Sequence, residues 1–509
     1  MRARVVGWMA LAVAAGGGLV SLWATGRTTS EVPAPLPDEV LGKLTGKHWY
    51  RVSLMGQPSG WAMYETWLQE GGDGTPRLTS RQRLHFQVEL NGQKLSASSE
   101  TLVETDGHLR PIKITMAADE LGREKTVLAE VEGTELAVTV SSGGRASRKR
   151  LPLPEDWGSD LQFAAKAARG ALHPGETFTV SIFDPEVADF DRHHIAVTDV
   201  VEAQMGGQTR RLFCLDDTTE RLKLKIRTFI DADGVMWRQE APGVMNLVLE
   251  KVGEAEAMRL GRPLSLSNRV AVDKPLGEPQ GVATLRLRVT LDRPAEEPPF
   301  PTTARQTVTA LSDTEYELSV KAASPPKTIA NRTAKLPQEL AGLTSATGIA
   351  EADDQRMREL AERITAGKGT AWEAAQAIVR WVYENMRKVA SEPRPVTALE
   401  CLDNMVGDCT EHALLAGTLA RAAGLPSKMC VGLGYTGDAF YYHAWVKIWV
   451  GEWVEMDPTW GEATVDATHL QVAEGALDEP SMARMSLATA RILGQVSFRV
   501  LDVRRSATE

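Results

Sequence analysis

The sequence predicts a multidomain α+β protein: a large N-terminal antiparallel β region, a small β linker module and a C-terminal α+β domain. Three observations predict it. Between Trp49 and Leu249, short alternating runs are broken by turn dipeptides such as Asn91-Gly92 and Asp106-Gly107, the pattern of antiparallel strands. After Ala350 the apolar residues Met357, Leu360 and Ile364, then Ala374, Ile378, Trp381 and Val382, recur at helical spacing. From Tyr441 to Trp449 the alternation of a strand returns, so helices and strands share the last part of the chain. At about 150 residues per domain, 509 residues leave room for roughly three domains.

The expected divisions are a signal peptide or N-terminal membrane anchor over 1–25, a linker over 26–45, an antiparallel β domain over 46–260, a β linker module over 261–345 and the α+β domain over 346–509. Arg2 and Arg4 precede a charge-free run from Val5 to Ala24, the order of an export signal. The run is long enough to span a bilayer as a helix, but Gly16, Gly17 and Gly18 weaken it. Leu22 and Trp23 make a poor cleavage site before Ala24, so an uncleaved anchor stands beside a cleaved signal. Either way the folded part is expected to be exported, periplasmic or extracytoplasmic. The stretch Gly26 to Pro37, with its three prolines, reads as a linker.

Within the β region, Arg83 to Leu90 runs into Asn91-Gly92, Ser99 to Thr105 into Asp106-Gly107, and Leu222 to Ile230 into Asp233-Gly234. One large curved sheet or a sandwich accounts for them. Asp231 to Gly234 resembles the start of a calcium loop, but Pro242 occupies the twelfth position, where a bidentate Glu is needed, so a hairpin is expected. The pair His193-His194 has no third ligand nearby in the sequence. In the linker module, Ala283 to Leu291 and Glu315 to Val320 are strands separated by the proline-rich Arg293 to Pro301, where a protease-sensitive hinge is expected.

Composition removes several functional classes. With 57 Lys plus Arg against 67 Asp plus Glu, the net charge of −10 supplies no footprint for a phosphate backbone, and nucleic acid is not an expected partner. The four cysteines, Cys214, Cys401, Cys409 and Cys430, form no CxxC pair, which removes zinc ribbons and thioredoxin-like chemistry. There is no HExxH, no GxSxG and no P-loop. Neither a cofactor nor a metal site is expected.

Chemistry is concentrated after Gly407. Asp408 fits the N-cap of a helix and Glu411 its third position, a capping box that places Cys409 at the first helical residue. The unpaired N–H groups and dipole of a helix start stabilise a thiolate, which a nucleophile needs. A strand follows with Ala444, Val446, Ile448 and Val450 on one face and His443 on the other; a second strand from Trp453 ends in Asp457. Nucleophile, base and orienting acid are the set for covalent acyl transfer. Parity adds a condition. His443 and Asp457 share a face only if the hairpin has a three-residue turn, Val450, Gly451 and Glu452, with Trp449 opposite Trp453, or a bulge.

At these residues the chain resembles the transglutaminase-like superfamily, relatives of the papain-type cysteine proteases. The resemblance rests on Gly407-Asp408-Cys409, then Arg421-Ala422-Ala423-Gly424-Leu425-Pro426, then His443-Ala444-Trp445 and Asp457-Pro458-Thr459, in order, and covers about 350–468. It implies a papain-like α+β fold with Cys409 as nucleophile, His443 as general base and acid and Asp457 as the orienter of the imidazole. It further implies a cysteine-dependent acyltransferase or amide hydrolase acting through a thioester, on a protein, peptide or cell-wall peptide. The N-terminal segment would engage the membrane.

The other candidates are weighed beside these. Trp372 and Trp381 are possible second oxyanion donors by the resemblance, but both sit at packing positions. Trp445, Trp449, Trp453 and Trp460 are cleft-wall candidates. His412 is expected to point away from the thiol, Glu455 is an alternative orienter, and Cys401 and Cys430 are a candidate disulfide in an exported protein. The rival function is a catalytically silent binding protein that works through its β domain and retains the cleft unused.

Overall fold

The computed structural model describes residues 37–506 except 72–75, 121–123, 143–144, 160, 296 and 390–396. The charge-free segment Val5 to Ala24 and most of the expected linker lie outside the described residues. The described chain divides into two compact units, one ending at Leu266 and one beginning at Ser267. No helix among the described residues is long and apolar enough to cross a membrane.

The first unit is a single fifteen-stranded sheet, antiparallel except where the short Leu264–Leu266 joins Pro76–Leu90 in parallel. Its path runs from Arg145–Pro152 strand by strand back to Gly46–Leu54, which pairs with Leu247–Val252, and onward to Thr177–Asp184. Asn91 and Gly92, with φ of 51° and 81°, make the tight turn that sets Leu90 opposite Gln93. The carboxylate of Asp231 accepts from the N–H groups of Asp233 and Val235 and from Trp237 Nε1, so the calcium-like stretch is a self-satisfied hairpin turn. His193 Nδ1 lies 2.8 Å from Asp217, and His194 Nε2 2.6 Å from Glu220, each with its own carboxylate on opposite faces of one strand. Sequence alternation does not mark the helix Leu161–Ala168. Leu161, Ala165 and Ala168 pack it against Val40, Leu41, Leu44, Leu78 and Leu109.

The residues expected to form a separate linker module belong to the second unit from Ser267 on. Gln306–Ala310, Glu315–Lys321 and Val282–Leu291 lie side by side, and the fourth strand of their sheet is Val496–Arg505. The far end of the proline-rich stretch is anchored to this unit. Phe300, 1% exposed, packs against Phe498, and Gln306 Nε2 donates to the carbonyls of Pro301 and Gln471.

A second sheet holds Arg269–Ala271, Ala439–Trp449, Ser427–Tyr435 and Leu470–Gly475 in that order, with Trp453–Met456 paired to Ala439–Trp449. The helix Cys409–Ala422 packs on Ala439–Trp449 and on Ser427–Tyr435, and Gln355–Thr365, Ala371–Asn385 and Ala398–Asn404 pack around it. It is buried over nearly its whole length, which suits a central helix with no polar face. Its end is set by Gly424 at φ 82°, followed by Pro426. The expected Cys401–Cys430 disulfide does not form: all four cysteines are buried and none is in a disulfide. Cys430 packs instead with Trp445 and Val465.

Candidate active site

Cys409 opens its helix as the first helical residue. Asp408 Oδ1 accepts from the Thr410 N–H at 2.9 Å, and the Glu411 carboxylate accepts from the Asp408 N–H at 2.8 Å, completing the box. Gly407 is there for space: a Cβ at that position would meet Glu411 Cβ at 2.4 Å. The sequence around the cysteine thus fixes a helix start that points its N–H groups at the thiol.

His443 reaches the thiol from the adjoining strand. The hairpin has the register that parity demands, with Trp449 opposite Trp453 and Val446 opposite Met456. Regular pairing stops at Met456, and Asp457 is held instead by a backbone bridge to Glu462. His443 Nε2 lies 2.7 Å from Asp457 Oδ2, and the imidazole stands close enough to Cys409 to favour its thiolate. With Nε2 committed to the carboxylate, Nδ1 is the nitrogen left for sulfur.

Asp457 is fully buried and its two oxygens divide their work. Oδ1 accepts from the N–H groups of Thr459 and Trp460, while Oδ2 receives Nε2 of His443 and, at 3.2 Å, Nε2 of His469. Pro458, which has no N–H of its own, sits inside this turn. The Trp460 indole stacks on the His443 ring at 4.2 Å and 9°. Gly434 makes room for this, since a Cβ there would fall 2.5 Å from the indole.

Charge follows from this packing. Burial alone disfavours an imidazolium at His443, but the Asp457 carboxylate outweighs it and the Cys409 thiol adds to it, and the group is pushed up to about 10. Burial likewise opposes ionisation of Asp457, yet His443 and His469 hold it well below the usual carboxylate range. At Cys409 burial disfavours the thiolate, whereas the neighbouring His443 imidazole favours it. By contrast, burial pushes the Cys430 thiol well up.

The remaining candidates have structural partners. His412 Nδ1 lies 2.8 Å from the Asp408 carbonyl and Nε2 3.3 Å from that of Met386, and burial pushes the ring down. Glu455 is bound to Arg305 at 2.6 Å and to Trp445 Nε1 at 3.0 Å, so it is occupied away from His443. Trp372 and Trp381 are half-buried on Ala371–Asn385. Of the other tryptophans, Trp445 is core and Trp453 lies under the Lys428 ammonium. Arg421 is also structural: its guanidinium donates to Ser345 O, Ser427 O and Ser427 Oγ, tying the helix end to the next strand.

Sequence reasoning missed His469, the second imidazole on Asp457. Its only signal was a cluster of acids and one histidine, Glu462, Asp466 and His469, just beyond Asp457.

The transglutaminase-like superfamily model matches residues 358–458. No curated protein matches the chain. Among solved structures, a candidate cysteine protease of Cytophaga hutchinsonii is 12% identical with a TM-score of 0.29, covering 44% of this chain and 86% of its own. A β-barrel-like protein of unknown function from Brucella abortus is 12% identical with a TM-score of 0.32, over 40% and 94%. The periplasmic domain of TgpA from Pseudomonas aeruginosa, bound to ethylmercury, is 18% identical with a TM-score of 0.26, over 36% and 76%. At such scores these likenesses carry no functional argument.

Proposed function

From the transglutaminase-like domain at residues 358–458, we propose that this protein is a cysteine-dependent acyl-transfer enzyme acting on amide bonds through Cys409, His443 and Asp457. The observation that carries the reading is the position of one imidazole, beside a helix-start thiol on one side and 2.7 Å from a buried carboxylate on the other. The Cys409 thiolate attacks the amide carbonyl carbon, and the backbone N–H of Cys409 is the natural donor to the oxyanion. His443 passes its proton to the leaving amine as the C–N bond breaks, leaving a thioester on Cys409. Water or an amine then attacks the thioester, His443 takes the proton, and the thiolate is released. With water the enzyme is a peptidase or amidase, and with an amine it forms a crosslink.

The substrate class is a protein, peptide or cell-wall peptide, met outside the cytoplasm. Support for export lies in Arg2, Arg4 and the charge-free run behind them, read as a signal peptide or membrane anchor. The test is selective alkylation: iodoacetamide at slightly acidic pH should label Cys409 far faster than Cys214, Cys401 and Cys430. Equal labelling of the four would remove the catalytic reading.

A second reading, binding through the β unit with the cleft silent, is favoured by a cavity of about 170 Å³ inside that unit. It is lined by Tyr50, Tyr64, Ile114, Phe183 and Met236 together with Arg81. Under that reading the alkylation preference disappears while ligand binding survives Cys409→Ala.

A further inference from the structure

Behind Asp457 lies a group of buried polar atoms that the acyl-transfer chemistry does not use. His469 is fully buried and Asp466 is 7% exposed. Asp466 Oδ2, Glu462 Oε2 and His469 Nδ1 all lack a hydrogen-bond partner. These three side chains nonetheless converge, each offering one ligand atom, with all three atoms within 4.8 Å of one another. Buried polar atoms are paired in the great majority of cases, so three orphans in one place call for a common partner.

The tautomer of His469 says what sort of partner. Its Nε2 faces Asp457 Oδ2, an acceptor whose sister oxygen already takes two backbone N–H groups, so Nε2 carries the proton. In the neutral ring Nδ1 then presents a lone pair, 3.5 Å from Asp466 Oδ1 and turned toward carboxylate oxygens. Lone pairs facing one another in the interior repel unless a positive charge stands between them. A proton on Nδ1 is the competing occupant, and Asp457 and Asp466 both favour it. Against the cost of burial, those carboxylates push the ring up to about 9, and the proton would face Asp466 Oδ1 across a long 3.5 Å, but it leaves Asp466 Oδ2 and Glu462 Oε2 as they are.

We propose that Glu462, Asp466 and His469 bind one divalent transition-metal ion, zinc by the chemistry of one imidazole nitrogen and two carboxylate oxygens. Ligand bonds of about 2.0–2.2 Å around a tetrahedral ion place donor atoms roughly 3.3–3.6 Å apart, inside the 4.8 Å within which the three atoms lie. A metal-bound histidine characteristically gives its other ring N–H to a carboxylate. Here that carboxylate is Asp457, so the ion would anchor the group that orients His443. The ion is a positioning element, and its presence does not depend on the catalytic reading.

The test uses the full chain carrying Cys409→Ala, so that the thiol contributes no metal binding. After dialysis against a chelator, cobalt(II) is titrated in and read by its visible d–d absorption and by quenching of tryptophan emission, then displaced with zinc. Trp460 and Trp445 sit 4.9 and 5.3 Å from the His469 ring, close enough to report the paramagnetic ion. One equivalent per chain is expected, with affinity falling at least tenfold in Asp466→Asn and in Glu462→Gln. Folding of each variant is checked by circular dichroism. Lack of a one-equivalent transition in the Cys409→Ala chain overturns the proposal whatever the variants do, as does identical uptake by folded variants. Selective iodoacetamide labelling of Cys409 with no metal uptake would leave the acyl-transfer reading standing and remove the metal alone.

Discussion

The indole of Trp460 lies flat on the imidazole of His443, ring centroids 4.2 Å apart and planes within 9° of parallel. The same tryptophan gives its backbone N–H to Asp457, so one residue both covers the ring and holds its carboxylate. Gly434 leaves the space for that stack. In Gly434→Ala the new methyl would stand 2.5 Å from the indole and 3.3 Å from His443 Cδ2. We expect turnover to fall at least tenfold while the fold survives with a loss of about 1–3 kcal/mol, as for other overpacked sites. Steady-state kinetics beside urea melts check it, and an unchanged rate would mean that the ring placement is unimportant.

Cys409→Ala should abolish turnover and leave a folded protein, because a small side chain at a helix start contributes little packing. Asp457→Asn should fold and lose about 10⁴-fold in rate, since an amide can hold the ring but not support its charged form. Circular dichroism and kcat separate the two effects. Wild-type turnover in either variant would break the assignment.

Alkaline pH should act through His443. Its pKa in the folded protein, about 10, lies above the ordinary 6.5, so the protonated ring is favoured by folding. That contribution is complete below about 6.5 and disappears as pH rises through 10. Thermal stability is therefore expected to decline across this window. The decline should shrink in Asp457→Asn, which removes the principal charge raising the pKa. Melting temperatures from pH 6 to 10 on both proteins decide it, and parallel curves would count against the ion pair.

Arg305 and Glu455 form an ion pair with side chains only 11% and 4% exposed. Arg305→Ala leaves a buried carboxylate uncompensated, and we expect about 3–5 kcal/mol of destabilisation in urea. Glu455→Gln keeps the hydrogen bond from Trp445 within reach and should retain turnover if the protein folds. A loss of turnover as large as that of Asp457→Asn would make Glu455 the orienter after all.

What could be read from sequence was short in range or governed by parity. Asp408, Cys409 and Glu411 lie within one helical turn, so their geometry is local. The hairpin register followed from the period of two along a strand, which ties His443 to Asp457 across a three-residue turn. Partners far apart in the chain left no such trace. Nothing near Glu455 announces Arg305, and nothing near Val282–Leu291 announces Val496–Arg505. Cys401 and Cys430 illustrate the converse, since both are buried yet share no disulfide and counting cysteines does not report distance. The helix Leu161–Ala168 was hidden by its brevity among strands.

The pairing of Val282–Leu291 with Val496–Arg505 has a consequence for how the second unit is made. All the helices and strands that carry the cysteine and histidine lie between the two partners, so this ladder closes a very long loop and is entropically disfavoured until the interior has condensed. During that interval one edge of Val282–Leu291 stands open, a template for pairing with another copy of the chain. A chain cut before Val496 would keep that edge open permanently, and aggregation would be its characteristic failure.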